Sequence, residues 1–260
     1  MKVELQGQVA LVTGAAQGIG KSIADRLAAN GARVIYADVQ YEVAAESAAS
    51  QSLGVAMAMD VTRDDQVQEV MDRTVQEYGR LDILVNNAGV NTLEHRVTID
   101  EFPREEWDRL LAVDLTGLYV ASKAAAQIMR SQQSGKIINI ASVVGIVPLR
   151  LQSPFVAAKA GVINLTRSMA IELGPYGILV NAIAPGSTLT DGTKELFYGE
   201  GGKFRDSVQE LLNHIPLGRP ATTDEIAHAT LFLAAPESSY INGHVLTVDG
   251  GWSAGYMREF

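Results

Sequence analysis

A glycine-rich segment at residues 13–20, Thr-Gly-Ala-Ala-Gln-Gly-Ile-Gly, constrains the fold of this chain more than any other stretch. The apolar run from Val9 to Val12 precedes it and predicts a buried strand. Ile19, Ile23 and Leu27 recur at the spacing of one helix face, so the glycines occupy a strand-to-helix turn. A helix N-terminus presents unpaired N–H groups, and residues without a Cβ let a phosphate approach them. The segment predicts a phosphate-binding turn; a tight turn without a ligand is the alternative for the glycines alone.

The next apolar run ends in an acidic residue. Residues 33–37 predict a second strand, and Asp38 follows it. A dinucleotide-binding fold places the acid that holds the adenosine ribose at about this position. A carboxylate there accepts hydrogen bonds from both ribose hydroxyls and repels a 2′-phosphate. Asp38 therefore favours NAD over NADP.

Patterns typical of strands and helices alternate along the whole chain. Apolar runs predict five further strands, at residues 55–59, 81–85, 136–140, 178–183 and 245–248. No linker and no change of composition divides the chain, so we expect residues 1–260 to form a single α/β domain. The alternation favours a doubly wound parallel sheet with helices on both faces.

Two longer segments between these strands carry specific predictions. Residues 102–130 look helical almost throughout, and we expect two helices that meet near Asp114 and Thr116-Gly117. The polar stretch at about 187–215 contains glycine and lacks strong periodicity. It predicts a lid over the carboxyl ends of the strands.

Composition and charge exclude several classes of function. The net charge of −9 argues against nucleic acid or an anionic membrane as the main partner. The chain has no cysteine, and its histidines at 95, 214, 228 and 244 offer no chelating pair, so we expect no metal site. No apolar run approaches the length of a membrane span, and the first residues lack a signal-peptide core. We expect a cytoplasmic protein.

Small or polar residues follow several predicted strands at the sheet edge where parallel sheets bind ligands. They include Asp60-Val61, the Asn-Asn-Ala-Gly sequence at 86–89, Ser142 and Pro185-Gly186. For Asp60, a cap for the helix that begins near Asp64 is the alternative, and for residues 86–89 it is a plain turn.

In this order, the motifs resemble the short-chain dehydrogenase/reductase superfamily across essentially the whole chain. The matching residues are 13–20, Asp60-Val61, 86–89, Ser142, Lys159, Asn181 and Pro185-Gly186 with Thr190. The resemblance implies a seven-stranded Rossmann-type sheet with NAD across the strand ends. The cofactor-binding residues that it implies are Gly14, Gln17, Gly18, Ile19, Gly20, Asp38, Asp60, Val61, Asn87, Ala88, Gly89, Lys159, Pro185, Gly186, Thr188 and Thr190. It also implies a homotetramer in which the helices at 116–130 and 155–173 pack across a two-fold axis.

The family's catalytic pattern is only half present. Members usually carry Asn, Ser, Tyr and Lys, and Ser142 and Lys159 match. Phe155 stands at the tyrosine position, four residues before Lys159, and Asp114 stands at the asparagine position. Loss of a positioned proton-transfer group costs roughly 10²- to 10⁴-fold in rate.

Three explanations fit these two departures. Phe155 is an engineered substitution in an active dehydrogenase, or the chain binds NAD with little redox activity. In the third, which we favour, Asp114 is paired with Lys159 and carries the proton through water to a substrate on Ser142. An adjacent ammonium favours the ionised carboxylate, so Asp114 is expected to act as a base, in alcohol oxidation.

The segment between Ser142 and Phe155 borders the substrate in this family. Its side chains with extended polar reach are Arg150 and Gln152, and Arg150 suits a carboxylate, a phosphate or sugar hydroxyls unless it is a solvated surface residue. Further candidates, each with an ordinary polar role as the alternative, are His95, Tyr198 and His214. We therefore expect interconversion of a secondary alcohol and a ketone on a sugar, sugar acid or polyol.

Overall fold

The computed structural model describes residues 3–92, 96–190, 193 and 206–255. Its main sheet contains seven parallel strands: β1 (Val9–Thr13), β2 (Arg33–Asp38), β3 (Gly54–Ala58), β4 (Ile83–Asn86), β5 (Gly135–Ile140), β6 (Ile178–Pro185) and β9 (Val245–Val248). Their order across the sheet is β3-β2-β1-β4-β5-β6-β9. A separate small sheet pairs β7 (Thr188–Leu189) with β8 (Ala221–Thr222). The predicted seven-stranded, doubly wound sheet is confirmed.

Helices cover both faces of the sheet. They are α1 (Gly18–Ala29), α2 (Tyr41–Ala49), α3 (Asp64–Tyr78), α4 (Arg104–Leu111), α5 (Leu118–Gln132), α6 (Ser153–Leu173), α7 (Asp206–Leu212) and α8 (Thr223–Ala234). Side chains alternate along β1, because Val9 and Leu11 join one apolar cluster while Ala10 and Val12 join the other. The first cluster packs against α3, α5 and α6, and the second against α1, α2 and α8.

The segment between α4 and α5 differs from the prediction of two helices that meet near Asp114. Residues 112–117 form a π-helical turn that joins α4 to α5 without a break. Such turns are wider than an α-helix and frequently occur at functional sites. Asp114 lies buried in this turn.

The stretch at 187–215 contains more regular structure than the sequence predicts. Residues 188–189 form β7, and residues 206–212 form α7, while residues 191–192 and 194–205 lie outside the described residues. The predicted lid therefore stays a prediction. Helix α8 is capped by Thr222, since Thr222 and Glu225 form a reciprocal capping box.

Lys136 joins the amino end of β5 to the carboxyl end of α8. Its Nζ contacts the carbonyl oxygens of Leu233 (3.4 Å) and Ala235 and the Oγ of Ser238 (3.1 Å). Burial lowers the pKa of Lys136 from 10.5 to about 8. The lysine is therefore less readily protonated in the folded protein than in the unfolded chain.

This difference predicts a pH dependence of stability. Between about pH 8 and 10.5 the unfolded chain binds the proton that the folded protein has lost, so the free energy of unfolding increases as the pH rises. We expect an increase of up to about 3 kcal/mol in chemical denaturation, absent in Lys136→Met. Burial raises the pKa of Tyr36 above 10.0, so above that pH Tyr36 makes the free energy of unfolding fall as the pH rises. This opposing effect is the same in the wild-type protein and in Lys136→Met. The same pH dependence in both proteins would contradict the assignment.

Candidate active site

One cleft of about 730 Å³ runs along the carboxyl edge of the sheet. It contains most of the residues that the sequence predicts for the cofactor, namely Gly14, Gln17, Gly18, Ile19, Gly20, Asp38, Asp60, Val61, Asn87, Ala88, Gly89 and Thr190. Sequence reasoning missed the lining residues Val39, Gln40, Met59, Thr62, Val90, Arg109, Ala112 and Val113. Five of these residues could have been found because they lie next to predicted cofactor residues in the sequence: Val39, Gln40, Met59, Thr62 and Val90.

The glycine turn is shaped for close approach of an anion. Gly14 and Gly18 have φ of +64° and +60°, a conformation that residues with a Cβ rarely adopt. The Asn87 amide donates to the carbonyl oxygens of Thr13 (3.0 Å) and Gly14 (2.9 Å) and ties the turn to β4. Helix α1 has no side-chain cap at Gln17, so its first N–H groups are available to a phosphate.

Asp38 is fixed at the end of β2 and is 8% exposed. Its Oδ2 accepts a hydrogen bond from the backbone N–H of Ala16, and its Oδ1 accepts one from that of Gln40, both at 2.9 Å. Among the described residues that line the cleft, Arg109 is the basic one, and it is ion-paired with Glu106 at 2.6 Å. The residues that follow Asp38 at the cleft, Val39 and Gln40, carry no positive charge.

Asp60 does not cap a helix, so that alternative is wrong. Its Oδ1 accepts hydrogen bonds from the backbone N–H (2.9 Å) and hydroxyl (2.7 Å) of Thr62, which fixes the turn after β3. The N-cap residue of α3 is Arg63, without a side-chain cap. Asp60 and Val61 both line the cleft.

The structure brings Asp114 and Lys159 together in a buried ion pair. Asp114 Oδ1 lies 2.9 Å from Lys159 Nζ, and the two side chains are 0% and 7% exposed. Asp114 Oδ2 accepts from the Val90 N–H at 3.1 Å, and Lys159 Nζ donates to the Ile140 carbonyl at 3.2 Å. Asp114 Oδ1 is sealed from solvent, and the ion pair with Lys159 Nζ is the polar contact that the described residues give it. Lys159 Nζ is also 5.6 Å from the centroid of the Phe155 ring.

Ser142 lies at the tip of β5, half-buried, and opens the turn Val143–Gly145. Its Oγ accepts from the Val144 N–H at 3.3 Å. The turn packs against α6, because a Cβ on Gly145 would lie 2.7 Å from the backbone of Lys159. The serine segment and the lysine turn of α6 are therefore adjacent.

The remaining predicted residues are not all gathered at the cleft. Pro185, Gly186 and Thr188 lie at or just after the end of β6 and do not line it, although Thr190 does. Arg150 is exposed and Gln152 is buried. His214 is exposed, with Nδ1 2.8 Å from the Glu210 carbonyl, and is not a cleft residue. His95 and Tyr198 lie outside the described residues.

Within the described ranges, no group of three or more His, Cys, Asp or Glu is arranged to hold a metal ion. None of the helices in these ranges has the length and apolar character required to cross a membrane.

A doubly wound sheet with a glycine turn before α1 and an acid at the end of β2 defines a dinucleotide-binding protein of the Rossmann class. The family model described as "Enoyl-(Acyl carrier protein) reductase" matches residues 14–253. The chain is 40% identical to a 3-oxoacyl-[acyl-carrier-protein] reductase of Thermotoga maritima, over 96% of this chain and 99% of the relative. It is 39% identical to trans-4-hydroxycyclohexanecarboxylate dehydrogenase of Sinomonas cyclohexanicum, over 95% of this chain and 93% of the relative.

A solved structure of levodione reductase superposes with a TM-score of 0.89 at 35% identity, covering 96% of this chain and 99% of that one. The chain belongs to the short-chain dehydrogenase/reductase superfamily. It is an oxidoreductase that acts on CH–OH groups with a nicotinamide cofactor. None of these three names refers to a sugar or polyol, so that prediction is not confirmed.

Proposed function

We propose that this protein is an NAD-dependent oxidoreductase that interconverts a secondary alcohol and a ketone, with Lys159 as its acid–base group. The observation that carries the proposal is the buried pair of Lys159 and Asp114 beside Phe155, at the position where the family has a tyrosine. The pair supplies a titratable group where the phenol is missing.

The preference for NAD follows from charge at one end of the cleft. Asp38 is held by two backbone N–H groups, so its carboxylate stays in place to accept from ribose hydroxyls. A 2′-phosphate would face this carboxylate, and the basic residue among the described residues that line the cleft, Arg109, is paired with Glu106. Repulsion between the Asp38 carboxylate and a 2′-phosphate disfavours NADP.

The remaining cleft residues fit the rest of a dinucleotide. The glycine turn and the free N–H groups of α1 suit the pyrophosphate, and Thr190 lies on the same wall. We also assign Lys159, Pro185, Gly186 and Thr188 to the nicotinamide end, as the family resemblance implies. When bound, the cofactor supplies or accepts the hydride.

The chain's own residues then manage the proton. In the oxidation direction, Ser142 Oγ donates a hydrogen bond to the substrate oxygen. Lys159 Nζ passes a proton to Asp114 Oδ1 and takes the proton of the substrate hydroxyl, so one N–H bond breaks as another forms. The alcohol O–H bond breaks and an O–H bond forms on Asp114.

This route corrects the expectation that Asp114 reaches the substrate through water. The Asp114 side chain is 0% exposed and its Oδ1 is sealed, with Lys159 Nζ 2.9 Å away. Its charge therefore acts on the substrate through Lys159, and Asp114 is a positioning residue and proton store.

For assembly, we propose the homotetramer that the family resemblance implies. The outer faces of α5 and α6 form a groove of about 550 Å³ whose lining includes Tyr119, Gly161 and Leu165. Tyr119 is 48% exposed, which suits a contact with a second copy. Sedimentation of the protein as a single monomeric species would contradict this arrangement.

A panel of secondary alcohols tests the proposed activity. We expect cyclic alcohols or 3-hydroxyacyl thioesters to reduce NAD⁺ at least tenfold faster than they reduce NADP⁺, measured by the absorbance of the reduced cofactor. Lys159→Met should lower kcat roughly 10²- to 10⁴-fold because the proton-transfer group is lost. Lys123→Met, at an exposed lysine of α5, is the matched control. Better turnover with NADP⁺, or full activity of Lys159→Met, contradicts the proposal.

A further inference from the structure

We infer that Gln152 determines substrate specificity, and that its carboxamide binds a single polar group on a mainly apolar substrate. The inference rests on the proposed function and assigns the class of substrate to the same site. It starts from an amide that is buried at the amino end of α6, three residues before Phe155.

Gln152 is 6% exposed, yet within the described residues its side chain makes no hydrogen bond. Buried amides normally pair, because an unpaired one loses its hydrogen bonds to water without replacement. The described side-chain atoms that are both fully sealed and unpaired are Asn86 Oδ1 and Asp114 Oδ1. The amide of Gln152 is not among them, so it is not fully sealed from solvent.

The backbone beside Gln152 is strained. Leu151 has φ of +65°, a left-handed conformation that side chains with a Cβ rarely adopt. Such strain persists where surrounding structure enforces it, and it concentrates at ligand-binding sites. An unpaired amide and a left-handed leucine are thus adjacent, directly before the helix that carries Phe155 and Lys159.

The same segment presents an apolar surface. Ile146 and Val147 are each 44% exposed and Pro148 is exposed, just after the turn that Ser142 opens. A sugar or polyol would place several hydroxyls against these side chains without partners. A ring or chain of carbon that carries one hydroxyl or carbonyl besides the reacting group satisfies both the apolar surface and Gln152. This class replaces the predicted sugar or polyol.

The test compares matched ketones. We expect the wild-type protein with NADH to reduce at least one of 2-, 3- and 4-hydroxycyclohexanone with a kcat/KM at least tenfold above that of cyclohexanone. In Gln152→Met this preference should fall at least tenfold, mainly through KM. Gln76→Met, at an exposed glutamine of α3, is the control and should keep the preference. Equal kcat/KM for all four ketones, or an unchanged preference in Gln152→Met, overturns the inference.

Thermal unfolding separates this inference from the proposed function. If no ketone oxidises NADH, the proposed activity fails for this class, and binding decides on Gln152. The inference is supported if NADH with a hydroxycyclohexanone raises the Tm more than NADH with cyclohexanone does, and if this difference is lost in Gln152→Met. The inference is overturned if the two ketones raise the Tm of the wild-type protein equally. Because the amide is unpaired, Gln152→Met without ligand should keep or raise Tm, and a large fall overturns the inference.

Discussion

Replacement of Gly20 by alanine is expected to abolish the binding of NADH and NADPH alike, with an affinity loss of at least 100-fold. A Cβ at this position would overlap the carbonyl oxygen of Gly14 and crowd the Asn87 amide, and it would lie 2.8 Å from the Gly14 carbonyl carbon. These are backbone atoms and a hydrogen-bonded amide, so no flexible side-chain end can move away. The turn that offers its N–H groups to the phosphates must open.

The same substitution should also destabilise the fold, because Asn87 ties the turn to β4 through Gly14. Overpacking of this kind costs about 1–3 kcal/mol. Fluorescence titration with each cofactor and thermal unfolding measure the two effects. Gly255→Ala is the control, since a Cβ there meets nothing within 4 Å. A Kd for NADH within threefold of wild type would show that the turn does not hold the phosphates.

Much of the fold could be predicted because the relevant signals are local. Strands buried on both faces, such as β1 and β5, are short apolar runs, and the glycine turn marks the first strand-to-helix junction. The π-helical turn at 112–117 could not be predicted in this way. Its residues follow the pattern of an ordinary helix, so nothing in their spacing marks the wider turn.

Other parts of the site depend on position in space more than on residue type. Val39, Met59 and Val113 line the cleft as ordinary apolar residues, and no motif marks them. The left-handed backbone of Leu151 has no sequence signal, since leucine rarely adopts it.

Asp114 and Phe155 show both what the sequence could predict about the site and what required the structure. The sequence singled out Phe155 because it lies four residues before Lys159, and Asp114 because it stands at the family's asparagine position. The structure adds that Asp114 contacts Lys159 and is sealed from solvent. Sealing changes the chemistry that the carboxylate can perform. A base that faces solvent exchanges protons with water, whereas this one is positioned to exchange them with Lys159.

Asp114→Asn is expected to lower kcat for alcohol oxidation roughly 10²- to 10⁴-fold. The amide can still accept from Val90 N–H, but it no longer accepts a proton from Lys159. The lysine also loses its counter-charge, and removal of one partner of a buried pair costs about 3–5 kcal/mol. Stopped-flow absorbance of NADH and chemical denaturation measure the two losses. Asp72→Asn, at an exposed acid of α3, is the control.

Loss of activity alone does not distinguish a proton store from a structural partner, but a second substitution does. Adding Phe155→Tyr to Asp114→Asn supplies a phenol beside Lys159 and should recover at least 100-fold of the lost rate. Phe155→Tyr alone should bring much less, because Lys159 and Asp114 already move the proton. A large gain from Phe155→Tyr alone, or no recovery in the double variant, assigns the proton to another group and leaves Asp114 a structural role.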